Sequence, residues 1–381
     1  MWLTGRLAPD FKTIADFRKD NGVPIRLVCR QFIILCRNLN LFANAFVAID
    51  GSKFKAVNNR DRNFTRAKMK RRIAEADATI EHYLQQLAEA DQQESSDDKT
   101  RSLEDKITSL KKEMSRLKKV EARMHKAPGQ QISLTDPDAR SMKSRGAGVV
   151  GYNVQTAVDT QHHMIVAHEV TNVGSDRQQL ANMAKQAKSV LATESLTAVA
   201  DRGYYRGEDI LECDKANISS YLPKPQTSGN KAKGQFGREA FRYIAEDDEY
   251  ECPAGQRLIY RMTTQEKAKT LHRYWASVCR QCLMKAKCTS GKERRIARWE
   301  HEEVLEAAQA RLDRNPDMMR IRRATVEHPF GTLKAWMGST HFLTRTLDRV
   351  STEMSLHVLA YNMKRMMNIF GPKTLIEAIG A

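Results

Sequence analysis

Hydrophobic positions along the chain change period several times, and each change predicts a different element. Over the first forty residues, Ile25, Val28, Phe32, Leu35 and Cys36 recur at helical spacing behind Pro24, which suits a first helical turn. Two helices are predicted there. An apolar run, Phe46-Val47-Ala48-Ile49, reads as a strand that ends in the turn-like pair Asp50-Gly51. Between residues 61 and 126 the steps alternate between four and three. Met69, Ile73, Ala76, Ile80, Tyr83 and Leu87 form one series; Leu103, Ile107, Leu110, Met114 and Leu117 form the next. A polar stretch from Gln92 to Thr100 separates them, so the pattern predicts two helices packed as an antiparallel hairpin, with an intermolecular coiled coil as the alternative.

Strand alternation returns at Tyr152, Val154, Thr156 and Val158, and a polar turn leads to a second run from Met164 to Val170, predicting a β-hairpin. Asp176 opens a helical pattern through Leu180, Met183, Ala187 and Val190. Leu196–Ala200 reads as a strand ending in Asp201, followed by a short helix (208–213) and a strand (218–222). Residues 224–300 read as loop-rich, with the best linker candidate at 224–235. Helix dominates from Glu302 onward.

Charge changes this picture more than composition does. The 381 residues hold 63 Lys and Arg against 46 Asp and Glu, a net charge of +17, which points to a polyanionic partner. No run approaches the length of a membrane span, and no leader-like segment opens the chain. Cytoplasmic residence, at the nucleoid, is expected. The seven cysteines leave one unpaired and cluster four in one region, which suits a reducing compartment.

Two aspartates directly follow strand-like runs, and such carboxylates can meet at one sheet edge and hold divalent cations. Each is weak alone: Asp50-Gly51 is a common turn, and Asp201 could cap a helix or pair with Arg202. A third acidic position stands in Arg320-Ile321-Arg322-Arg323-Ala324-Thr325-Val326-Glu327-His328-Pro329. Helical spacing puts Arg323, Glu327 and Lys334 on one face, as a carboxylate flanked by cations that can clamp phosphates or as an ordinary ion pair. Pro329 predicts a kink just after Glu327. Cys252, Cys279, Cys282 and Cys288, spaced C-x26-C-x2-C-x5-C, suit structural Zn²⁺, reduced structural thiols or, last, redox catalysis; Cys29, Cys36 and Cys213 fall on apolar helical positions and are expected in the core. Trp275, Trp299 and Trp336 are read as packing residues, with base stacking as the alternative. His162, His163 and His168 are read as turn or sheet residues, and His328 as a neighbour of Glu327 that packs or touches phosphate or metal.

Taken together, these segments resemble the DDE transposases of bacterial insertion sequences. Trp2-Leu3-Thr4 through Asn21 resembles the end of their N-terminal domain. Ile49-Asp50-Gly51-Ser52-Lys53 resembles the first acidic motif, Gly151–Asp159 the following hairpin, and Ala200-Asp201-Arg202-Gly203-Tyr204 the second motif. Arg323, Glu327 and Lys334 match the family's Y-R-E-K signature, whose Tyr position holds Arg320 here, and Leu356–Arg365 resembles its closing helix. The resemblance implies an RNase H-like mixed α/β sheet flanked by helices, carrying an inserted helical hairpin and a Cys-rich insertion. It divides the chain into an N-terminal helical remnant (1–42), a first core strand (43–60), the hairpin (61–130), the main core (131–223), the insertion (224–300) and a C-terminal helical part (301–381). It also implies a start inside the family's N-terminal region.

The implied activity is DNA cleavage and strand transfer by two-metal phosphoryl transfer with Mg²⁺ or Mn²⁺ on Asp50, Asp201 and Glu327. Arg202, Arg320, Arg323 and Lys334 would bind phosphates of element ends and target DNA, within a homodimeric synaptic complex. A nuclease without strand transfer and a non-catalytic DNA-binding remnant are the competing readings.

Overall fold

The computed structural model describes residues 8–42, 44–92, 97–144, 147–225 and 229–380. The motif at Trp2, the polar residues 93–96 and part of the linker candidate (226–228) lie outside them.

Helices α1 (Phe11–Asp20) and α2 (Gly22–Asn38) lead into β1 (Phe46–Lys55). The short strands β2 (Asn63–Thr65) and β3 (Gln131–Ser133) pair at the base of two long helices, α3 (Arg66–Gln92) and α4 (Asp97–Lys126). These helices pack on each other, and Met69, Leu117, Val120 and Met124 form a separate small core with Phe64. Next come β4 (Arg140–Ser144), β5 (Ala147–Asp159), β6 (Ile165–Thr171), α5 (Leu180–Leu191), β7 (Leu196–Ala200), α6 (Gly207–Lys215) and β8 (Ile218–Tyr221).

The central sheet runs β5-β1-β7-β8, with β4 and β6 sharing the outer edge of β5. β1 is antiparallel to β5 and parallel to β7, which is parallel to β8. Alternation along β1 sends Val47 and Ile49 into a core with α2 and α5, while Ala48 faces Val326 on the opposite side. Phe54, Tyr152 and Val154 meet Phe330, Leu333 and Tyr361 on that second side. This mixed α/β arrangement is compatible with an RNase H-like core.

Two sequence readings change. β1 does not stop at Asp50-Gly51 but continues to Lys55, so Asp50 stands in mid-strand, opposite Thr156. The glycine is there for room, because a Cβ at Gly51 would lie 2.3 Å from Gln155 Nε2 and 2.7 Å from Asp176 Oδ1. Residues 224–300, read as loop, form a five-stranded antiparallel sheet: β9 (Arg242–Ile244), β10 (Glu249–Glu251), β11 (Arg257–Glu266), β12 (Lys269–Trp275) and β13 (Ile296–Trp299). Its strands are short or largely solvated, which hides their alternation. Two short helices, α7 (Gly229–Ala232) and α8 (Lys285–Cys288), flank it.

The chain closes with α9 (Glu302–Arg314), α10 (Met318–Gly331), α11 (Leu347–Phe370) and α12 (Pro372–Gly380). The break expected directly after Glu327 falls later: α10 continues through Pro329, and a π-helical turn spans Thr332–Trp336. Among the described residues no helix is long and apolar enough to cross a membrane.

Candidate active site

Parallel pairing of β1 with β7 aligns Ile49 with Ala200, so the next residues, Asp50 and Asp201, emerge side by side. Asp201 Oδ1 accepts a hydrogen bond from the Gly203 amide at 2.7 Å, capping the short turn Arg202–Tyr204. The cap considered from sequence is therefore real, yet it uses one oxygen only; Oδ2 faces Arg322 at 3.7 Å. Arg322 Nη2 also lies 2.8 Å from Asp50 Oδ1. One guanidinium thus spans both aspartates.

The Asp50 carboxyl is pushed up to about 6, chiefly by burial; Arg322 offsets part of this, while Asp201 and Asp176 add to it. Asp176 does not start a helix, as α5 begins at Leu180. It instead sits in the loop before α5 and gathers Lys53 Nζ (3.1 Å), Asn153 Nδ2 (2.7 Å) and Gln155 Nε2 (2.7 Å). Gln155 Oε1 in turn accepts from the buried Tyr204 hydroxyl. Burial, and then Asp176, Asp50 and Asp201, hold that phenol well above its usual range.

On α10, Glu327 is exposed, beside the buried Val326 that seats the helix on Ala48 and Val199. Among the described residues no group of three or more His, Cys, Asp or Glu side chains is placed to hold a metal ion, so Asp50 and Asp201 meet without Glu327. Lys334 is brought to the site's rim: its Nζ donates to Ser52 Oγ (2.6 Å) and to the Lys53 carbonyl (3.0 Å) over the Phe54 ring. Arg202 and Arg323 are exposed, and Arg320 pairs with Asp317 at 3.2 Å. His328 is engaged with the Tyr361 hydroxyl and stacks near His163.

Arg322 and Asp176 were missed from sequence. Arg322 had a readable signal. It falls in the apolar stripe Met319, Val326 and Phe330 of α10, continued by Leu333 in the π-helical turn, where an arginine needs a buried partner. Asp176 had none, since its partners come from β1 and β5.

The four clustered cysteines come together in a pocket of the second sheet, and neither Asp50 nor Asp201 lines it. Cys252, Cys279, Cys282 and Cys288 are free thiols lining one pocket of about 30 Å³ with Phe236 and Phe241. Backbone bonds close a turn at each knuckle, Gly255 N to Cys252 O and Cys282 N to Cys279 O. Cys29, Cys36 and Cys213 are in the core as expected, and burial pushes the last two up to about 12. Trp299 is buried and packs against Gly207, Trp275 lies between Arg261 and Arg295, and Trp336 is exposed.

Two carboxylates at neighbouring strands beneath a late helix offer oxygen ligands of the kind that divalent cations take. The family model described as "Transposase DDE domain" matches residues 118–363. The chain belongs to this family of DDE transposases, which are DNA-cleaving enzymes that use divalent metals such as Mg²⁺. The matched span holds Asp201 and Glu327, while Asp50 precedes it. No curated protein and no solved structure matches the chain.

Proposed function

We propose that this transposase cleaves the ends of an insertion sequence and joins them to target DNA, with Asp50, Asp201 and Glu327 as its acidic triad. The observation that carries the reading is the meeting of Asp50 and Asp201 around one guanidinium, a site already built to accept positive charge. Burial of Asp50 among like charges fits a cation as its working partner. Glu327, exposed on the helix that covers the pair, is read as the ligand that completes the set on substrate binding. A bound Mg²⁺ or Mn²⁺ would activate water or a 3′-hydroxyl and stabilise the leaving oxygen. Arg202, Arg320 and Arg323 present exposed cations for DNA phosphates, and Lys334 supports the end of β1 beside them. Homodimeric synapsis and a place at the cytoplasmic nucleoid belong to the same reading.

We read the helical pair at 61–130 and the Cys-bearing sheet at 224–300 as insertions into an RNase H-like core, because each interrupts the order of central-sheet elements. The four thiols of the second share one pocket and two turns but are not placed as a metal-holding group among the described residues, so structural Zn²⁺ is proposed only with a rearrangement of their side chains on binding. Metal analysis of purified protein, beside a Cys279→Ser/Cys282→Ser variant, tests this; no zinc in the parent rejects it.

The deciding experiment incubates the protein with element-end DNA and Mg²⁺ or Mn²⁺, in parallel with Asp201→Asn. Metal-dependent cleavage and joining, lost in the variant, is the expected result. Cleavage without joining would assign a nuclease, and binding without cleavage a DNA-binding remnant.

A further inference from the structure

The ion pair at the centre of the site has an unusual form for a structural salt bridge. Arg298 shows what a structural one looks like in this protein. Its two terminal nitrogens each meet a separate oxygen of Glu306, at 2.5 and 2.9 Å, in the fork that satisfies a guanidinium. Arg322 makes no fork. A single nitrogen serves two carboxylates, closely to Asp50 at 2.8 Å and loosely to Asp201 at 3.7 Å. Its Nε is buried and has no hydrogen-bond partner among the described residues. An arginine only 16% exposed, left half satisfied, is held by charge and not by geometry.

We propose that Arg322 is a displaceable cation: it holds Asp50 and Asp201 together until a divalent cation takes its place between them. This rests on the reading of that pair as a metal site. Two carboxylates brought together by the β1–β7 register repel each other, and the protein must balance them in the absence of metal. An arginine from the covering helix does so from a stripe otherwise filled by Val326 and Phe330. A guanidinium cannot remain between the carboxylates once a divalent ion binds both. Loading the site is therefore an exchange of cations, coupled to a rotamer change on α10.

Mn²⁺ binding without DNA tests this, followed by electron paramagnetic resonance of the free ion and by thermal unfolding. The proteins are the parent, Arg322→Gln, Arg322→Lys and Asp201→Asn. With its competitor removed, Arg322→Gln should bind Mn²⁺ about tenfold tighter than the parent. It should melt lower than the parent without metal, and saturating Mn²⁺ should close that gap. A purely packing role for Arg322 would leave the gap unchanged. Arg322→Lys, which keeps the charge but not the reach, should fall between the two; if the Gln variant does not fold, Lys-variant affinity at or below the parent's overturns the proposal. Binding that depends on Asp201 but is unchanged or weaker in Arg322→Gln overturns the arginine's role alone. Absent binding in the parent, or binding that survives in Asp201→Asn, removes the metal reading and the proposal with it.

Discussion

β1 and β11 are both ten-residue strands, and each is hydrogen-bonded to a neighbour on either side. In β1, Val47, Ala48 and Ile49 are fully buried; in β11, almost every residue from Ile259 to Glu266 is exposed. A backbone ladder thus does not by itself exclude water. β1 lies under α5 on one face and α10 on the other, whereas β11 packs chiefly on its neighbouring strands β10 and β12 and its outer length is exposed. The same contrast governs charge. Glu266, on β11, pairs with Arg273 in contact with water, while Asp50 in β1 is raised to about 6. Covering by helices is what turns a strand carboxylate into a chemical group.

The sharpest way to break this comparison is to neutralise one carboxylate in each setting. Asp50→Asn should lower metal-dependent DNA cleavage by roughly a thousandfold or more, while Glu266→Gln leaves it unchanged in the same gel assay. Glycines give the next contrast. A Cβ on Gly151 would sit 1.9 Å from the Phe54 carbonyl, and that backbone cannot yield without shifting the β1–β5 register; at Gly148, nothing lies within 4 Å. Gly151→Ala is expected to cost about 3 kcal/mol or more and Gly148→Ala about 0.5 kcal/mol or less, by chemical denaturation.

Matched isoleucines sharpen it further. Ile49→Ala should cost about 3 kcal/mol, as a cavity in the core, against about 0.5 kcal/mol for Ile259→Ala, whose side chain is 37% exposed. Equal losses would mean that β11 is covered in solution.

The smallest effect is on pH. Burial depresses the His168 imidazole to about 4, and it shares a hydrogen bond with Ser355. The unfolded chain then binds the extra proton between about 6.5 and 4, so stability is full above that window and lost as pH falls through it. Midpoint denaturant concentration should decline over that range, and His168→Gln should flatten the decline.

Much of the site was readable from local pattern. Asp50 and Asp201 follow apolar runs, and those runs are adjacent parallel strands. Cys29, Cys36 and Cys213 fall on helical stripes and are buried. The failures have a common cause. Asp50-Gly51 looks like a turn because Asp-Gly is favourable there, but here the glycine lies within a strand, in space that the Gln155 and Asp176 side-chain ends crowd. Asp176 looks like a helix start because its partners, Lys53, Asn153 and Gln155, are out of local view. The sheet at 242–299 looks like loop because solvated strands carry no burial pattern.

Sequence alone determined the types and spacings of the chemical groups: two aspartates behind apolar strand runs, a late Arg-Arg-x3-Glu helix, four clustered thiols and a large excess of cations. Periodicity sufficed for these because burial of a helix stripe or a strand face is a local property of the chain. Only the tertiary structure decided which groups meet. It brought Arg322, rather than Arg323 or Glu327, to Asp50 and Asp201, and it set Asp176 behind them. Charges separated by hundreds of residues become partners only through sheet register and helix seating. Their strength then depends on how much water the packed layers exclude.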